Sequence, residues 1–223
     1  MSTQAVRALL LATRSEGKLR ELRPLFAAAG IAVIDLREAG VAERAEEAAI
    51  ERFETFEENA VAKAQYFLER TGFATLADDS GLEVAALHGA PGVRSKRWSG
   101  RDDLAGQALD DANNAALLSA LVGTPDRRAR YVCAAAYADQ GRSIVVRGEA
   151  SGRIVEAPRG EQGFGYDPFF LSDELGTTFG QATREQKEAV SHRGRAFHML
   201  VAAMRDTPTP AGASARVPAR PSV

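Results

Sequence analysis

The 223-residue sequence has a single cysteine, a single tryptophan and no long apolar run. With only Cys133 available, no intramolecular disulfide can form, which favours a reducing compartment such as the cytoplasm. No stretch approaches the roughly 18 apolar residues of a membrane span. The short apolar run near the N-terminus also lacks the features of a secretory signal. We therefore expect a cytoplasmic protein with no membrane partner.

The sequence also lacks an excess of either charge, because 28 lysines and arginines stand against 30 aspartates and glutamates, for a net charge of −2. The overall charge therefore gives no attraction to nucleic acid. Hydrophobic residues make up 45% of the chain, which is typical of a protein with a sizeable core. The length predicts one α/β domain, or a two-lobed one, over residues 1–205. The Pro-, Ala- and Ser-rich residues 206–223 predict a disordered tail.

Periodic apolar residues and turn signals predict strands that alternate with helices. Thr55 and Glu58 form a capping-box pattern at the start of a helix that Gly72 ends. Residues 139–142 separate two apolar runs and predict a β-hairpin. The predicted strands cover residues 6–12, 31–34, 131–138, 143–154 and 169–171, and the predicted helices cover residues 15–29, 55–70, 102–121 and about 183–204.

Two adjacent carboxylates, Asp78 and Asp79, follow an apolar approach and precede Ser80 and Gly81, which we expect to break the strand. Side chains alternate between the faces of an extended segment, so the two aspartates cannot share one role. One would face the scaffold, and the other would lie where the strand opens into a loop, the usual place for chemistry in an α/β protein. The alternative is a polar turn after a strand.

Four further clusters contain residues suited to a nucleotide, although each alone also fits an ordinary turn or helix surface. The strand-to-helix turn at residues 13–18 would offer backbone N–H groups and a lysine to an anion. Asn59 and Lys63 lie four residues apart, and therefore on one helix face. Glycines on both sides of Phe164 would let the backbone approach a ligand closely, while the ring would supply a stacking surface. Residues 187–193 place a lysine, a histidine and an arginine on one predicted helix.

Taken together, these clusters make the sequence similar to the Ham1-like noncanonical purine nucleoside triphosphate pyrophosphatases, also called inosine triphosphate pyrophosphatases. The resemblance runs from about Leu9 to Met204. The matching motifs are Thr-x-x-x-x-Lys (13–18), Thr-Phe-Glu-Glu-Asn-Ala (55–60) with Lys-Ala (63–64), Asp-Asp-Ser-Gly-Leu-Glu-Val (78–84), Gly-Ala-Pro-Gly-Val (89–93), Gly-Phe-Gly-Tyr-Asp-Pro (163–168) and Lys-x-x-x-Ser-His-Arg (187–193). The resemblance implies a two-lobed α/β fold with a long twisted mixed β-sheet and an active-site cleft between the lobes. It implies hydrolysis of ITP, dITP and XTP to the monophosphate and pyrophosphate, by a Mg²⁺-dependent cytoplasmic homodimer.

The resemblance also implies roles for individual residues. Asp79 matches the family's catalytic carboxylate, which would activate the attacking water or hold Mg²⁺, with Asp78 as its support. A carboxylate suits either role because it is a hard oxygen ligand. A second metal-binding glutamate is expected in the acidic segment before residue 55: Glu47 is our prediction and Glu51 the reserve. The residues that would hold the triphosphate are Thr13, Arg14, Ser15, Glu16, Gly17, Lys18, Ser80 and Lys187, and Lys63 could add charge there.

On the base side, the resemblance implies that Phe164 stacks on the purine. His192 and Arg193 match the family's base-reading pair. A donor aimed at position 6 favours a keto oxygen and rejects adenine, but it does not explain how GTP would be rejected. The purine pocket would also be lined by Gly165, Tyr166 and Asp167.

One residue departs from the family pattern: Ser15 stands where asparagine is usual. Serine offers one donor where asparagine offers two, which predicts weaker or water-bridged phosphate contacts. Two other functions compete with the main hypothesis. A related pyrophosphatase of the Maf-like type is disfavoured by the motifs at 163–168 and 187–193. A nucleotide-binding regulatory module is disfavoured by Asp79, Lys18 and Lys187, because binding alone has little need of a carboxylate beside a polyphosphate.

Overall fold

The computed structural model describes residues 8–206, and the predicted tail from residue 207 onward lies outside them. Its centre is a six-stranded sheet in the order β2-β1-β3-β4-β5-β6. The strands are β1 (Leu9–Leu11), β2 (Val33–Asp35), β3 (Thr75–Val84), β4 (Arg128–Ala138), β5 (Ser143–Ile154) and β6 (Phe170–Ser172). The helices are α1 (Glu16–Ala28), α2 (Phe56–Thr71), α3 (Gly106–Ala120), α4 (Arg184–Val190) and α5 (His192–Asp206), and short 3₁₀ helices cover Ala45–Ala49, Ala85–Leu87 and Gly92–Arg97.

The sheet is mixed, as predicted. β1 lies parallel to β2 and β3, whereas β3, β4, β5 and β6 pair antiparallel. β1 ends at Leu11, opposite Leu76, so residues 77–84 of β3 extend past the end of β1, and within residues 8–206 the strand that pairs with them is β4. This flank of β3 begins just before the two aspartates, and at Gly81 and Leu82 the 3₁₀ helix Gly92–Arg97 packs against it. The predicted α/β fold is therefore confirmed.

Helices cover both faces of the sheet, and alternation along β4 decides which residues they meet. Cys133 and Ala135 pack in a cluster with α1 and α5, in which Phe26 and Phe197 meet edge to face. Ala134 and Ala136, on the other face, pack against α2. A third cluster surrounds Tyr131, Phe170 and Phe179 near α3. Burial of these apolar surfaces supplies the main driving force for the fold.

The expected strand break at Ser80 and Gly81 is wrong. Both residues continue the β3 ladder, pairing with Cys133 and Val132 of β4. Glycine is required at position 81 for another reason: a Cβ there would lie 2.4 Å from the Gly92 carbonyl oxygen and 2.5 Å from Ser95 Oγ. The bare backbone therefore lets the 3₁₀ helix Gly92–Arg97 pack directly on the strand.

The last predicted helix is in fact two helices. Ser191 adopts extended backbone angles (φ −74°, ψ 154°), which ends α4 and starts α5 at His192. The two helices pack closely around Gly194, whose Cβ would lie 1.9 Å from the Glu188 carbonyl oxygen. The break changes which way the side chains after Ser191 point.

Within residues 8–206, no helix is both long and apolar enough to cross a membrane.

Candidate active site

The two aspartates of β3 lie on opposite faces of the sheet, as their alternation predicts. Asp78 faces α1 and α5, where Lys18 and Arg193 contact it. Asp79 faces α2, where Asn59 donates a hydrogen bond to it. Both carboxylates are buried. The pair therefore reaches two different environments from one point of the strand, next to the end of β1.

Asp78 is the anionic centre of a buried ion cluster. Its Oδ2 lies 2.9 Å from Lys18 Nζ and 3.4 Å from Arg193 Nε, and it accepts a hydrogen bond from Ser80 Oγ. Burial alone would raise the pKa of Asp78, but the positive charges of Lys18, Arg193 and Lys63 hold it well below its usual value. Asp78 is thus ionised at neutral pH, and it fixes the position of two cations.

Asp79 has the opposite character. Its Oδ2 accepts a hydrogen bond of 2.9 Å from Asn59 Nδ2, and its Oδ1 accepts one of 3.0 Å from the Ser80 backbone N–H. Burial and the negative charge of Glu51 raise the pKa of Asp79 to about 6, against the opposing effect of Lys18 and Lys63. A carboxylate with such a pKa can exchange a proton near neutral pH. This property fits a general base or a metal ligand.

Asn59 is itself held in place by backbone groups. Its Oδ1 accepts a hydrogen bond of 2.9 Å from the Phe53 N–H, and its Nδ2 donates one of 3.1 Å to the Phe53 carbonyl. The motif at 55–60 therefore has a structural explanation: Thr55 caps α2, and Asn59 fixes the preceding loop while orienting Asp79.

The two candidate metal-binding glutamates occupy different surroundings. Glu47 Oε1 lies 2.9 Å from Arg14 Nη2 and 2.7 Å from Arg70 Nη1, so two arginines neutralise it. Glu51 forms a close ion pair with Lys63, and its charge acts directly on the pKa of Asp79. The reserve residue is thus the one of the two whose charge acts on Asp79. Among residues 8–206, no group of three or more His, Cys, Asp or Glu side chains could hold a metal by itself.

The carboxylates of Asp79 and Glu51 nevertheless fit a divalent metal ion that arrives with a polyphosphate. Mg²⁺ prefers oxygen ligands and is commonly bound through one or two carboxylates together with substrate phosphates and water. Burial, and after it the negative charge of Glu51, raise the pKa of Asp79, and a divalent cation bound between the two carboxylates would favour the ionised form.

The turn before α1 brings Lys18 toward β3. Ser15 is the N-cap, and its Oγ accepts a hydrogen bond from the Lys18 N–H. The Thr13 hydroxyl accepts a hydrogen bond from the Ser15 N–H. The Arg14 side chain points to Glu47 and the Val41 carbonyl, so only its backbone belongs to the turn. Glu16 and Gly17 begin the helix, where N–H groups lack intrahelical acceptors and favour an anion.

The Phe164 ring lies over the first turn of α1. A Cβ on Gly17 would lie 2.6 Å from the ring, so this glycine permits the contact. Lys187 Nζ and Arg193 Cζ lie 5.2 and 5.5 Å from the ring centroid, within cation–π range. A cavity of about 340 Å³ opens beside the ring, and its lining includes all four residues. Its size falls within the range of small-molecule sites.

Glu21 is the functional candidate that sequence reasoning missed. It bridges the two cations beside Phe164: Lys187 Nζ lies 2.6 Å from Oε1, and Arg193 Nη1 contacts Oε2. Burial opposes its ionisation, but Lys187 and Arg193 bring the pKa of Glu21 below its ordinary value. One local signal was available, since Glu21 lies three residues after Lys18 and thus on the same side of α1.

The side chains of the other predicted base-side residues, Tyr166, Asp167 and His192, are buried. Asp167 is buried, contacts Lys187 and accepts a hydrogen bond of 2.8 Å from the Phe164 N–H. Tyr166 donates its hydroxyl to the Ser95 carbonyl, so its ring and hydroxyl serve the scaffold. His192 is buried and stacks on Tyr131 at 4.5 Å, and burial lowers its pKa far enough to keep the imidazole neutral.

Comparison with known proteins shows the family to which this chain is similar. The sequence model of the Ham1 family matches residues 9–203. A dITP/XTP pyrophosphatase of Mycolicibacterium paratuberculosis is 49% identical over 199 residues, which cover 88% of this chain and 95% of that protein. A dITP/XTP pyrophosphatase of Frankia alni is 46% identical over 204 residues, covering 90% and 98%.

Solved structures give the same result. The Ham1 protein of Staphylococcus aureus superposes with a TM-score of 0.75 at 36% identity, covering 89% of this chain and 98% of its own. A HAM1 protein from Coxiella burnetii superposes with a TM-score of 0.76 at 34% identity, covering 90% and 99%. Because the family model spans nearly all of the described chain and several relatives exceed 30% identity, this protein belongs to the Ham1 family.

Proposed function

We propose that this protein hydrolyses the purine nucleoside triphosphates dITP, XTP and ITP to the monophosphate and pyrophosphate. The observation that carries the proposal is the placement of Asp79. It is a buried carboxylate with a pKa of about 6, and the charges of Glu51, Lys18 and Lys63 act on it. The names of the relatives, dITP/XTP pyrophosphatases, support the substrate class.

In the proposed reaction, water attacks the α-phosphorus and the bond to the oxygen bridging the α- and β-phosphates breaks, so that pyrophosphate leaves. Asp79 and Glu51 would hold a Mg²⁺ ion, and Asp79 or a group it orients would accept the proton of the water. Bound Mg²⁺ would neutralise phosphate charge and orient the nucleophile. Lys18, Lys63 and the N-terminus of α1 would bind the phosphates, which is most of what phosphoryl transfer asks of a protein.

The base would stack on Phe164, above the cations that Glu21 and Asp167 hold in place. Arg193 is fixed by Asp78, Glu21 and Ser80 Oγ, so its guanidinium is preorganised to meet a keto oxygen. An adenine amino group would face this donor without an acceptor, which disfavours ATP.

Three further properties belong to the same proposal. Residues 1–205 would act as one two-lobed unit with the substrate in the cleft. The active form would be a homodimer, and it would work in the cytoplasm. These statements come from the family resemblance and the single cysteine rather than from a contact in the structure.

The proposal is tested by pyrophosphate release from dITP, ITP, XTP, GTP and ATP, each with and without Mg²⁺. We expect rapid Mg²⁺-dependent release from the first three and little from GTP or ATP. Asp79→Asn should abolish turnover while calorimetry still detects bound nucleotide. Equal turnover of all five would remove the proposed base selectivity. Nucleotide binding without turnover by the unaltered protein would instead indicate a binding module.

A further inference from the structure

Helix α3 holds the loop that carries Phe164. Asp110 Oδ2 accepts a hydrogen bond of 2.8 Å from the Gly165 N–H, and Asn114 Nδ2 donates one of 3.0 Å to the Gly165 carbonyl. The two side chains are four residues apart and therefore neighbours on one face of the helix. They bind the backbone N–H and the backbone carbonyl of Gly165, the residue directly after Phe164. We call this pair of contacts the α3 clamp.

The clamp is not needed to form the turn itself. The Phe164–Asp167 turn is already closed by the Asp167 carboxylate, which accepts the Phe164 N–H at 2.8 Å, and by the Asp167 N–H, which donates to the Phe164 carbonyl at 3.3 Å. The contacts from α3 are additional. Their physical effect is to fix where the finished turn lies relative to the rest of the molecule.

The other end of the clamp is also rigid. On α3, the neighbouring Asn113 accepts a hydrogen bond from the Ser99 N–H and donates one to the Lys96 carbonyl. These two partners lie in the segment 95–99, and Tyr166 donates a hydrogen bond from its hydroxyl to the Ser95 carbonyl in that segment. The segment 95–99 is bound in turn to β3, because Ser95 Oγ accepts a hydrogen bond from the Leu82 N–H. The turn that carries Phe164 is therefore tied to the central sheet through α3.

The position of the turn is important because the Phe164 ring, which the turn carries, packs against α1. The ring lies against Gly17, one residue before Lys18, and over Lys187 and Arg193. A small shift of the turn that carries Phe164 would move the ring relative to residues 13–18, the turn that would bind the phosphates. The distance between the stacking surface and the phosphate site would then change.

We propose that Asp110 and Asn114 are positioning residues for the nucleobase, acting through the backbone of Gly165 on the ring of Phe164. The inference rests on the proposed function, since it assigns Phe164 to the base. The phosphate-binding groups are not part of the clamp. Loss of the clamp should therefore weaken binding of a nucleoside triphosphate without weakening binding of a polyphosphate that has no base.

The test compares three variants of the full chain. Asp110→Ala removes the acceptor for the Gly165 N–H, while Asp110→Asn keeps an acceptor oxygen and should rescue. Asp111→Ala is the matched control, because Asp111 is exposed on the same helix and bonds only Gln107 among the contacts described for it. KM and kcat for ITP and the inhibition constant of inorganic tripolyphosphate are measured for each, with thermal melting as a check on folding.

We expect Asp110→Ala to raise KM for ITP roughly three- to tenfold, the effect of one hydrogen bond, with kcat within about twofold of the original. The inhibition constant of tripolyphosphate should not change. Asp110→Asn and Asp111→Ala should behave like the unaltered protein. The proposal is overturned if Asp110→Ala matches Asp111→Ala, or if KM and the tripolyphosphate constant rise together.

Asn114→Ala provides a second arm, in case Asp110→Ala melts at a much lower temperature. It should change KM in the same direction. Should the unaltered protein bind ITP without hydrolysing it, the proposed activity fails, but the same ratios measured as calorimetric Kd values still decide the clamp. Should ITP not bind at all, both proposals fall. Amide exchange at Gly165 is an independent physical check, since its protection should fall in Asp110→Ala and persist in Asp110→Asn.

Discussion

Asp78 and Asp79 are consecutive in the chain, yet their carboxylates lie on opposite faces of β3 and their pKa values shift in opposite directions. Asp78 is surrounded by cations and stays ionised. Burial and the negative charge of Glu51 raise the pKa of Asp79 to about 6. One step along a strand thus separates a carboxylate that stays ionised from one that can exchange a proton near neutral pH. This difference gives the first two predictions.

Replacing Asp79 by asparagine should stabilise the metal-free protein at neutral pH. The pKa of Asp79 is about 6 in the folded state and about 3.9 in an unfolded chain. A raised carboxylate pKa lowers stability above pH 6, and this penalty disappears as the pH falls toward 4. The shift corresponds to an increase in the free energy of unfolding, for Asp79→Asn, of about 1–3 kcal/mol at pH 7.5 and of less than about 1 kcal/mol at pH 4.

Urea unfolding in the presence of a chelator at both pH values measures this gain. Asp111→Asn, an exposed aspartate, serves as the control for loss of one negative charge. Equal destabilisation by Asp79→Asn at both pH values would contradict the assignment of the raised pKa.

Replacing Asp78 by asparagine should have the opposite effect on stability. Lys18 and Arg193 would keep their buried charges and lose their shared partner. Breaking a buried ion pair in this way costs about 3–5 kcal/mol. Because the folded pKa of Asp78 is depressed, its contribution is present above about pH 4 and is lost as the pH falls further. The difference between the unaltered and Asp78→Asn proteins in urea should therefore be large at pH 7 and shrink in acid.

Replacing Glu51 and replacing Glu47 should have different effects on the protein. Glu51→Gln should raise the Mg²⁺ concentration needed for half-maximal pyrophosphate release by at least about tenfold, as expected for a metal ligand or its direct support. Glu47→Gln should instead lower the melting temperature, since Arg14 and Arg70 would lose their partner. A Mg²⁺ titration and a thermal melt on each variant provide the measurement. A larger Mg²⁺ shift for Glu47→Gln would restore Glu47 as the metal ligand.

Gly17→Ala should weaken nucleotide binding through Phe164. Alanine favours a helix more than glycine does, so α1 itself should tolerate the change. Its Cβ would lie 2.6 Å from the Phe164 ring, which must move. We expect KM for ITP to rise about five- to twentyfold, within the range that base stacking contributes. In a Phe164→Ala background the same substitution should have almost no further effect, and this double-mutant cycle tests the contact.

Local features were predictable because their causes lie within a few residues. The capping of α2 by Thr55, the end of that helix at Gly72, the β4–β5 hairpin and the opposite directions of Asp78 and Asp79 all follow from one turn or one strand. The motif order also indicated the family. Prediction of the strand break at Gly81 was wrong because its glycine serves a tertiary contact rather than a turn.

The sequence by itself determined the set of chemical groups, their order and the strand alternation that separates the two aspartates. Tertiary structure alone decided which groups meet. Glu21 reaches Lys187 across 166 residues and Arg193 across 172, and Asn114 reaches Gly165 across 51. The same docking lets the charge of Glu51 act on Asp79 and pairs Glu47 with two arginines. Such pairings depend on how helices pack on a shared sheet, and no periodicity within one segment records that packing.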